Sequence, residues 1–267
     1  MSYQTLIADL DRRGVLSVRL NRVEVRNAFN EVLIRELSEV FAQEAMSPTV
    51  RAVVLRGEGP TFCAGGDLNW MRKAIDFDYS ENLKDTLDLA KMFAQLNEFP
   101  KPLIGAVHGA AIGGGVGLVS VCDISIAVES TQFSLSEVRL GIVPACIAPF
   151  VISKIGASHA RGLFVSADRF NAIRAKEIGL VHQTVVDEAA LETEIQRVLG
   201  NILQCGPNAM AIAKKLVLDL SWPERRNNLK DTLAYVAETL SQLRVSAEGQ
   251  EGVKAFLEKR KPNWISG

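Results

Sequence analysis

The chain has 267 residues, 48% hydrophobic and 23% charged, which fits one large α/β domain or two small ones and excludes disordered and collagen-like chains. With 30 Lys and Arg against 31 Asp and Glu, the net charge is −1, and the cationic footprint that drives nucleic-acid binding is missing. The four cysteines, Cys63, Cys122, Cys146 and Cys205, lie far apart and never form a C-x-x-C pair. With only three histidines beside them, neither a disulfide framework nor a metal site is expected.

In chain order, the N-terminus runs straight into strand-like sequence with no basic or Arg/Ser-rich leader, so a cytoplasmic, reduced protein is the expectation. Val15 to Leu20 alternates apolar and polar residues, as a half-buried strand does. A helix is predicted over 29–45, with Val32, Leu33, Leu37, Val40 and Phe41 on one face and Ser47-Pro48 as its stop. Ala52–Leu55 reads as a buried strand. A second amphipathic helix over 82–97 carries Leu83, Leu87, Ala90 and Leu96 on its apolar face and stops at Pro100 and Pro102. Leu103–Val107 and Ile124–Val128 are further buried strands. The stretch from Leu103 to Ala127 is too broken by glycines, His108 and Asp123 for the roughly 20 apolar residues of a membrane span. After about residue 185 the strand signals stop, and Glu188–Cys205, Pro207–Leu220, Asn227–Leu243 and Glu248–Lys259 read as helices punctuated by Pro207 and Pro223. The pattern predicts an α/β core over 1–205 and a helical region over 206–267.

Two glycine-rich loops follow strands. Phe62-Cys63-Ala64-Gly65-Gly66-Asp67-Leu68 comes after the strand at 52–55, and His108-Gly109-Ala110-Ala111-Ile112-Gly113-Gly114-Gly115-Val116-Gly117 opens an apolar helix. Backbone N–H groups at a helix start have no intrahelical partner, and glycine lets a ligand approach them. Two such loops side by side would offer two N–H groups to one oxygen, the geometry of an oxyanion hole. Taken singly, each loop is equally a tight turn. The second lacks both the G-x-G-x-x-G order of a dinucleotide loop and the Lys-Ser/Thr of a P-loop.

Glu137, in Gln132 to Pro144, lies between an apolar strand and the run Leu140-Gly141-Ile142-Val143. Such surroundings raise a carboxyl pKa toward values useful for proton transfer. On spacing alone, an ion pair with Arg139 is the simpler reading. His108 is expected to bond backbone, Asp67 to start a helix, Asp123 to anchor a strand, and Cys63 and Cys146 to pack. Trp70 and Met71 fit an acyl pocket and a plain core equally well.

Taken together, these elements resemble the crotonase (enoyl-CoA hydratase/isomerase) superfamily. The resemblance rests on Arg26-Asn27-Ala28-Phe29, the two glycine loops, Cys122-Asp123 and Phe133 to Pro144. Ala175 to Val181 and Gly252 to Pro262 extend it over nearly the whole chain in the right order. It implies a spiral core of ββα units, a C-terminal helical trimerisation region, and a homotrimer or a hexamer built from two trimers. It also implies an acyl-CoA thioester substrate, with coenzyme A entering only as part of that substrate and no tightly bound cofactor. By position, the amides of Gly66 and Gly114 would hold the thioester oxygen and Glu137 would be the acid/base. Val25, Arg26, Ala28, Ala64, Asp67, Leu68 and Asn69 would contact substrate or CoA, with Phe256 and Lys259 near its adenine and phosphates.

One departure stands out. Family hydratases carry a glutamate two residues after the glycine triplet, and here that position is Gly117. One carboxylate, Glu137, is therefore expected to serve as base and acid in turn, and the missing side chain is expected to leave room for a β-branch. Gly66 to Met71, Leu135 to Gly141 and Pro144-Ala145 look most like bacterial methylglutaconyl-CoA hydratases of leucine and isovalerate degradation. The implied reaction interconverts 3-methylglutaconyl-CoA and 3-hydroxy-3-methylglutaryl-CoA. Arg72, Lys73 and Arg139 are candidate partners for the second carboxylate of that substrate. A Δ3-Δ2 enoyl-CoA isomerase and a non-catalytic acyl-CoA binder are the alternatives.

Overall fold

The computed structural model describes residues 3–44, 47–221 and 229–265, so Ala45, Pro223 and Asn227, which bound or punctuate predicted helices, lie outside the described residues. Six strands form the main sheet: β1 (Leu6–Leu10), β2 (Val15–Leu20), β3 (Ala52–Gly57), β4 (Leu103–Val107), β6 (Ile124–Val128) and β9 (Gln183–Val185), in the order β1-β2-β3-β4-β6-β9. Three short strands, β5 (Ala110–Ile112), β7 (Gln132–Ser134) and β8 (Arg169–Asn171), form a second sheet in the order β5-β7-β8. Among the described residues, only β1 with β2 and β7 with β8 pair antiparallel.

This arrangement is the expected spiral of ββα units. β4 and β6 lie side by side in the main sheet, the strands that follow them, β5 and β7, lie side by side in the small one, and a helix closes each turn. These are α4 (Gly114–Val121) after β5 and α5 (Ala148–Ser166) after β7. The preceding turn has β3 in the main sheet, and Cys63 bridges in parallel to Ala111 of β5. Its helices are α2 (Leu68–Ala74) and α3 (Tyr79–Glu98).

The main sheet is covered on both faces, which is why β3, β4 and β6 are continuous apolar runs. Val53, Leu55, Leu103 and Val107 join the larger core with Leu33, Leu37 and Phe41 of α1 (Glu31–Glu44). Val54, Ile104, Ala106 and Ile126 face the other way, against Leu191, Ile195, Val198 and Leu199 of α7 (Glu188–Ile202). Asp123 anchors the start of β4, accepting from the Leu103 amide at 2.8 Å and pairing at 2.8 Å with Lys214 of α8 (Pro207–Ser221). Arg51 donates to the carbonyls of Cys205 and Trp264, both at 2.9 Å, and so ties the C-terminal helices to the core across the expected boundary at 205.

Two expectations need correction. The helix predicted over 29–45 begins at Glu31, because Phe29 is held in a backbone bridge to Gly66. In α3 the predicted face holds only in part: Leu96 is buried as expected, but Leu83 and Leu87 are each 45% exposed, whereas Met92 and Phe93 are buried and Leu89 packs on the core. The side that packs on the core therefore runs through half-buried Leu89 and buried Met92, Phe93 and Leu96, and half-buried Asp85 lies one turn before Leu89 on the same side.

Candidate active site

Register builds the site. Cys63 stands opposite Ala111, and Ala111 opposite Phe133. Three residues beyond the first pair are Gly66 and Gly114; four beyond the second are Gly115 and Glu137. The two glycine loops and the Glu137 segment therefore reach the same C-terminal end of the short parallel strands, where ligands bind in parallel sheets.

The loops are locked together by backbone contacts. The Ile112 amide donates to the Cys63 carbonyl at 2.9 Å, and a Cβ at Gly115 would stand 2.5 Å from that same oxygen. Gly65 takes a left-handed φ of 91°, with the Ile112 carbonyl 3.0 Å from where its Cβ would be, so glycine is required on both counts. Phe29 joins the two amides' neighbourhoods. Its N–H donates to the Gly65 carbonyl at 2.6 Å, its own carbonyl accepts from Asp67 at 2.8 Å, and its ring lies where a Gly114 Cβ would meet Cε2 at 2.9 Å. The N–H groups of Gly66 and Gly114 have no acceptor among the described residues. Gly66 is exposed and Gly114 half-exposed, although the residues around them, Gly65, Asp67, Gly113 and Gly115, are buried. Two unpaired, reachable donors beside buried neighbours fit an oxyanion hole, and Gly114 adds the positive end of α4.

Glu137 faces this end of α4. Its Oε1 lies 2.9 Å from the position a Gly113 Cβ would occupy, while the Gly113 amide is tied to the Ser134 carbonyl at 2.8 Å. The other carboxyl oxygen, Oε2, is buried without a partner. Burial pushes the Glu137 pKa above the usual carboxylate range. The ion pair with Arg139 does not form; Arg139 instead donates to the Ala167 carbonyl at 3.0 Å.

The predicted CoA-contacting segments are brought together. The Ala64 amide donates to the Arg26 carbonyl at 3.0 Å, which sets Val25, Arg26 and Ala28 beside Ala64 and Gly66. Arg26 and Asn27 take left-handed φ values of 54° and 57°. Buried Asn27 compensates by donating to the Glu58 and Thr61 carbonyls at 2.9 and 2.7 Å. Asp67 caps α2 through the Asn69 amide at 2.7 Å and pairs with Arg22 at 2.7 Å; Leu68 and Asn69 are exposed at the mouth. Phe256 and Lys259 are not joined to this cluster by any hydrogen bond or ion pair among the described residues. They lie exposed at the end of the last helix, Ala247–Leu257, which packs on α8 and on the helix Leu229–Val245.

The bland readings hold elsewhere. His108 bonds the Gly59 carbonyl at 2.8 Å. Cys63 is fully buried, which pushes its thiol up to about 12 and removes it as a nucleophile. Residues the sequence reading passed over include Arg22, which clamps the Ala28 carbonyl and Asp67. It also passed over Phe93 and Ile147. A Cβ on Gly117 would collide with Ile147 Cγ2 and stand 2.8 Å from Phe93 Cε1. The expectation that Gly117 leaves room for a β-branch is thus corrected: both neighbours are buried apolar side chains that have grown into that volume.

A family model described as enoyl-CoA hydratase/isomerase matches residues 11–267. The 2,3-dehydroadipyl-CoA hydratase of Escherichia coli is 32% identical, covering 95% of this chain and 96% of its own. The crotonyl-CoA hydratase of Syntrophomonas wolfei is 30% identical over the full length of both. Among solved structures, AtuE of Pseudomonas aeruginosa superposes with a TM-score of 0.94 at 38% identity, covering 98% of this chain and 100% of its own. An enoyl-CoA hydratase from Shewanella pealeana gives 0.93 at 38% identity, covering 98% and 96%.

Because overpacking a tight core costs about 1–3 kcal/mol, Gly117→Ala should lower stability by that amount in urea unfolding. Gly117→Glu should lower it further. Unchanged midpoints for both would show that position 117 is open space.

Proposed function

Because the chain belongs to the enoyl-CoA hydratase/isomerase family and is an enoyl-CoA hydratase-type enzyme, we propose that it adds water to a branched enoyl-CoA through Glu137 alone. The observation that carries this reading is the buried, unpartnered Oε2 of Glu137 at the same end of the short strands as two unpaired amides. Coenzyme A takes part as the carrier of the acyl group. The thioester oxygen sits between the Gly66 and Gly114 N–H groups. Glu137 takes a proton from water as its oxygen bonds to the β-carbon, and electrons move onto the thioester oxygen as enolate charge. Both amides hold that charge more tightly than the neutral carbonyl, which is the condition for speeding the step. The protonated Glu137 then returns its proton to the α-carbon. One carboxyl serving both steps delivers H and OH to the same face, and the reverse sequence dehydrates.

The acyl group proposed is 3-methylglutaconyl, supported by the sequence likeness of Gly66–Met71 and Leu135–Gly141. Its second carboxylate needs a cation. Lys73 is paired with Glu31 at 2.6 Å and Arg139 with a carbonyl, which leaves exposed Arg72, held by Asn69 at 2.9 Å, as the partner. The same reading places the C-terminal helices in a homotrimer or a hexamer. Exposure of Val253, Phe256 and Leu257 at 60%, 82% and 73% supports this, and light scattering should return a multiple of three chains; a monomer would refute it.

Glu137→Gln keeps shape and removes the proton acceptor, so hydration should fall about 10²–10⁴-fold; a loss under about threefold would refute the role. Water labelled with heavy oxygen should enter the product. Product formed without label would establish isomerisation instead, and CoA affinity without turnover would mark a binder. A carboxyl whose folded pKa is raised holds its proton more tightly folded than unfolded, so it costs stability as pH rises through the folded value. Glu137→Gln should therefore melt above wild type near pH 8, with the gap closing toward about pH 4. Arg72→Ala should raise KM for 3-methylglutaconyl-CoA about 2–5-fold, the scale of an exposed charge pair, and leave KM for crotonyl-CoA unchanged. Equal changes for both substrates would remove Arg72 as the selective contact.

A further inference from the structure

The hydratase reading leaves one polar residue of the site's surroundings without a task. Asp85 stands half-buried on α3, one turn before Leu89 and two before Phe93, in line with the side of the helix that packs on the core. Leu83 and Leu87, on another side of the helix, are each 45% exposed. A carboxylate partly withdrawn from water, as that of Asp85 is, loses hydration that a hydrogen bond can replace. Its Oδ1 accepts from the Trp70 indole N–H at 3.3 Å, the only polar handle of a ring otherwise packed on the core.

Trp70 leads directly to the oxyanion hole. A Cβ on Gly66 would meet Trp70 Cζ3 at 3.8 Å and Met71 Sδ at 3.4 Å, so these two side chains form the wall against the Gly66 α-carbon. The opposite side is held by the paired backbone of Phe29. Gly66 is itself exposed and, as glycine, has the least intrinsic hold on its own φ and ψ. The planar Gly65–Gly66 peptide that carries its N–H is held on one side by the Phe29 N–H on the Gly65 carbonyl at 2.6 Å, and the Trp70 ring and Met71 thioether limit its movement on the other. We propose that Asp85 is a positioning residue for the hydration reaction: by bonding the Trp70 indole it fixes the ring that keeps the Gly66 amide aimed at the thioester oxygen. The bond also lies inside a ring of other titratable groups. Glu31 of α1, Lys84 and Asp88 of α3, and the Cys146 thiol before α5 all act on or respond to Asp85, and burial raises its pKa.

This inference rests on the hydratase reading, since the aim of an amide matters through the charge that develops in the transition state. Misaiming it should lower kcat more than it alters KM. The experiment compares Asp85→Leu, Asp85→Asn, Trp70→Phe and the double variant Asp85→Leu/Trp70→Phe. Asp85→Leu should lower kcat about tenfold or more with KM within about threefold, and Asp85→Asn, which keeps an acceptor, should stay within about threefold of wild type. Trp70→Phe keeps a ring but loses the N–H, and should match Asp85→Leu. The double variant should be no worse than Trp70→Phe, because both remove one bond. Additive losses, an Asn variant as impaired as Leu, or a kcat for Asp85→Leu near wild type would overturn the proposal. If Asp85→Leu fails to fold, Trp70→Phe carries the same test against Asp85→Asn. A readout independent of turnover is the indole ¹⁵N–¹H resonance of Trp70, assigned by its loss in Trp70→Phe. It should move in Asp85→Leu and stay near its wild-type position in Asp85→Asn. A resonance that Asp85→Leu leaves unmoved defeats the bond whatever the activity. A wild type that hydrates no enoyl-CoA defeats the hydratase reading instead.

Discussion

Cys63, Ala111 and Phe133 are successive rungs across the small parallel ladder, and everything chemical in the molecule is placed by them. Each belongs to a different turn of the spiral, separated by tens of residues in sequence. Once these rungs form, the chain just beyond each one has little choice. Gly66 follows the first, Gly114 the second and Glu137 the third, all at one end of the strands. A slip of one residue would turn every side chain of that ladder to the other face. It would also remove the Glu137 carboxyl from the start of α4. The buried aromatic pair Phe133 and Phe170, stacked at 5.6 Å between centroids, helps to hold that register from below.

The chemistry that results is spare. In the proposed reading, both contacts to the thioester oxygen come from backbone N–H groups, so glycine, which lets the thioester come close, is the residue that suits the site. Proton transfer is left to one acid in surroundings that keep its pKa high. The volume that a second acid would need is filled by Phe93 and Ile147, which makes the single-acid arrangement a packed feature of the core rather than a hole in it. Such a site is bought with stability: a buried carboxyl oxygen without a partner and two left-handed non-glycine residues at Arg26 and Asn27 are all retained against folding.

Much of this was legible in the sequence because it depends on local signals. Glycine runs after β-branched strands marked the loops, and Glu137 between apolar runs marked the acid. The resemblance along the whole chain assembled them. What stayed hidden depends on contacts between distant segments. Nothing in the spacing of Leu83, Leu87 and Ala90 reveals that α3 turns that face to water, because a helix with apolar residues on two sides has no single periodic answer. Asp85 was passed over for the same reason. Arg22 resembles any surface arginine until its guanidinium is seen between the Ala28 carbonyl and Asp67. The fate of the space at Gly117 was equally invisible, since Phe93 reaches it from α3 and Ile147 from the turn before α5.

The central claim is that Gly66 and Gly114 grip one oxygen while Glu137 faces the carbon skeleton beside it. A crystal structure with a bound acyl-CoA thioester measures this directly. The thioester oxygen should lie about 2.7–3.1 Å from both amide nitrogens, with a Glu137 carboxyl oxygen over the α- and β-carbons. A thioester oxygen bonded elsewhere, or a Glu137 carboxyl turned away from the acyl group, would contradict it.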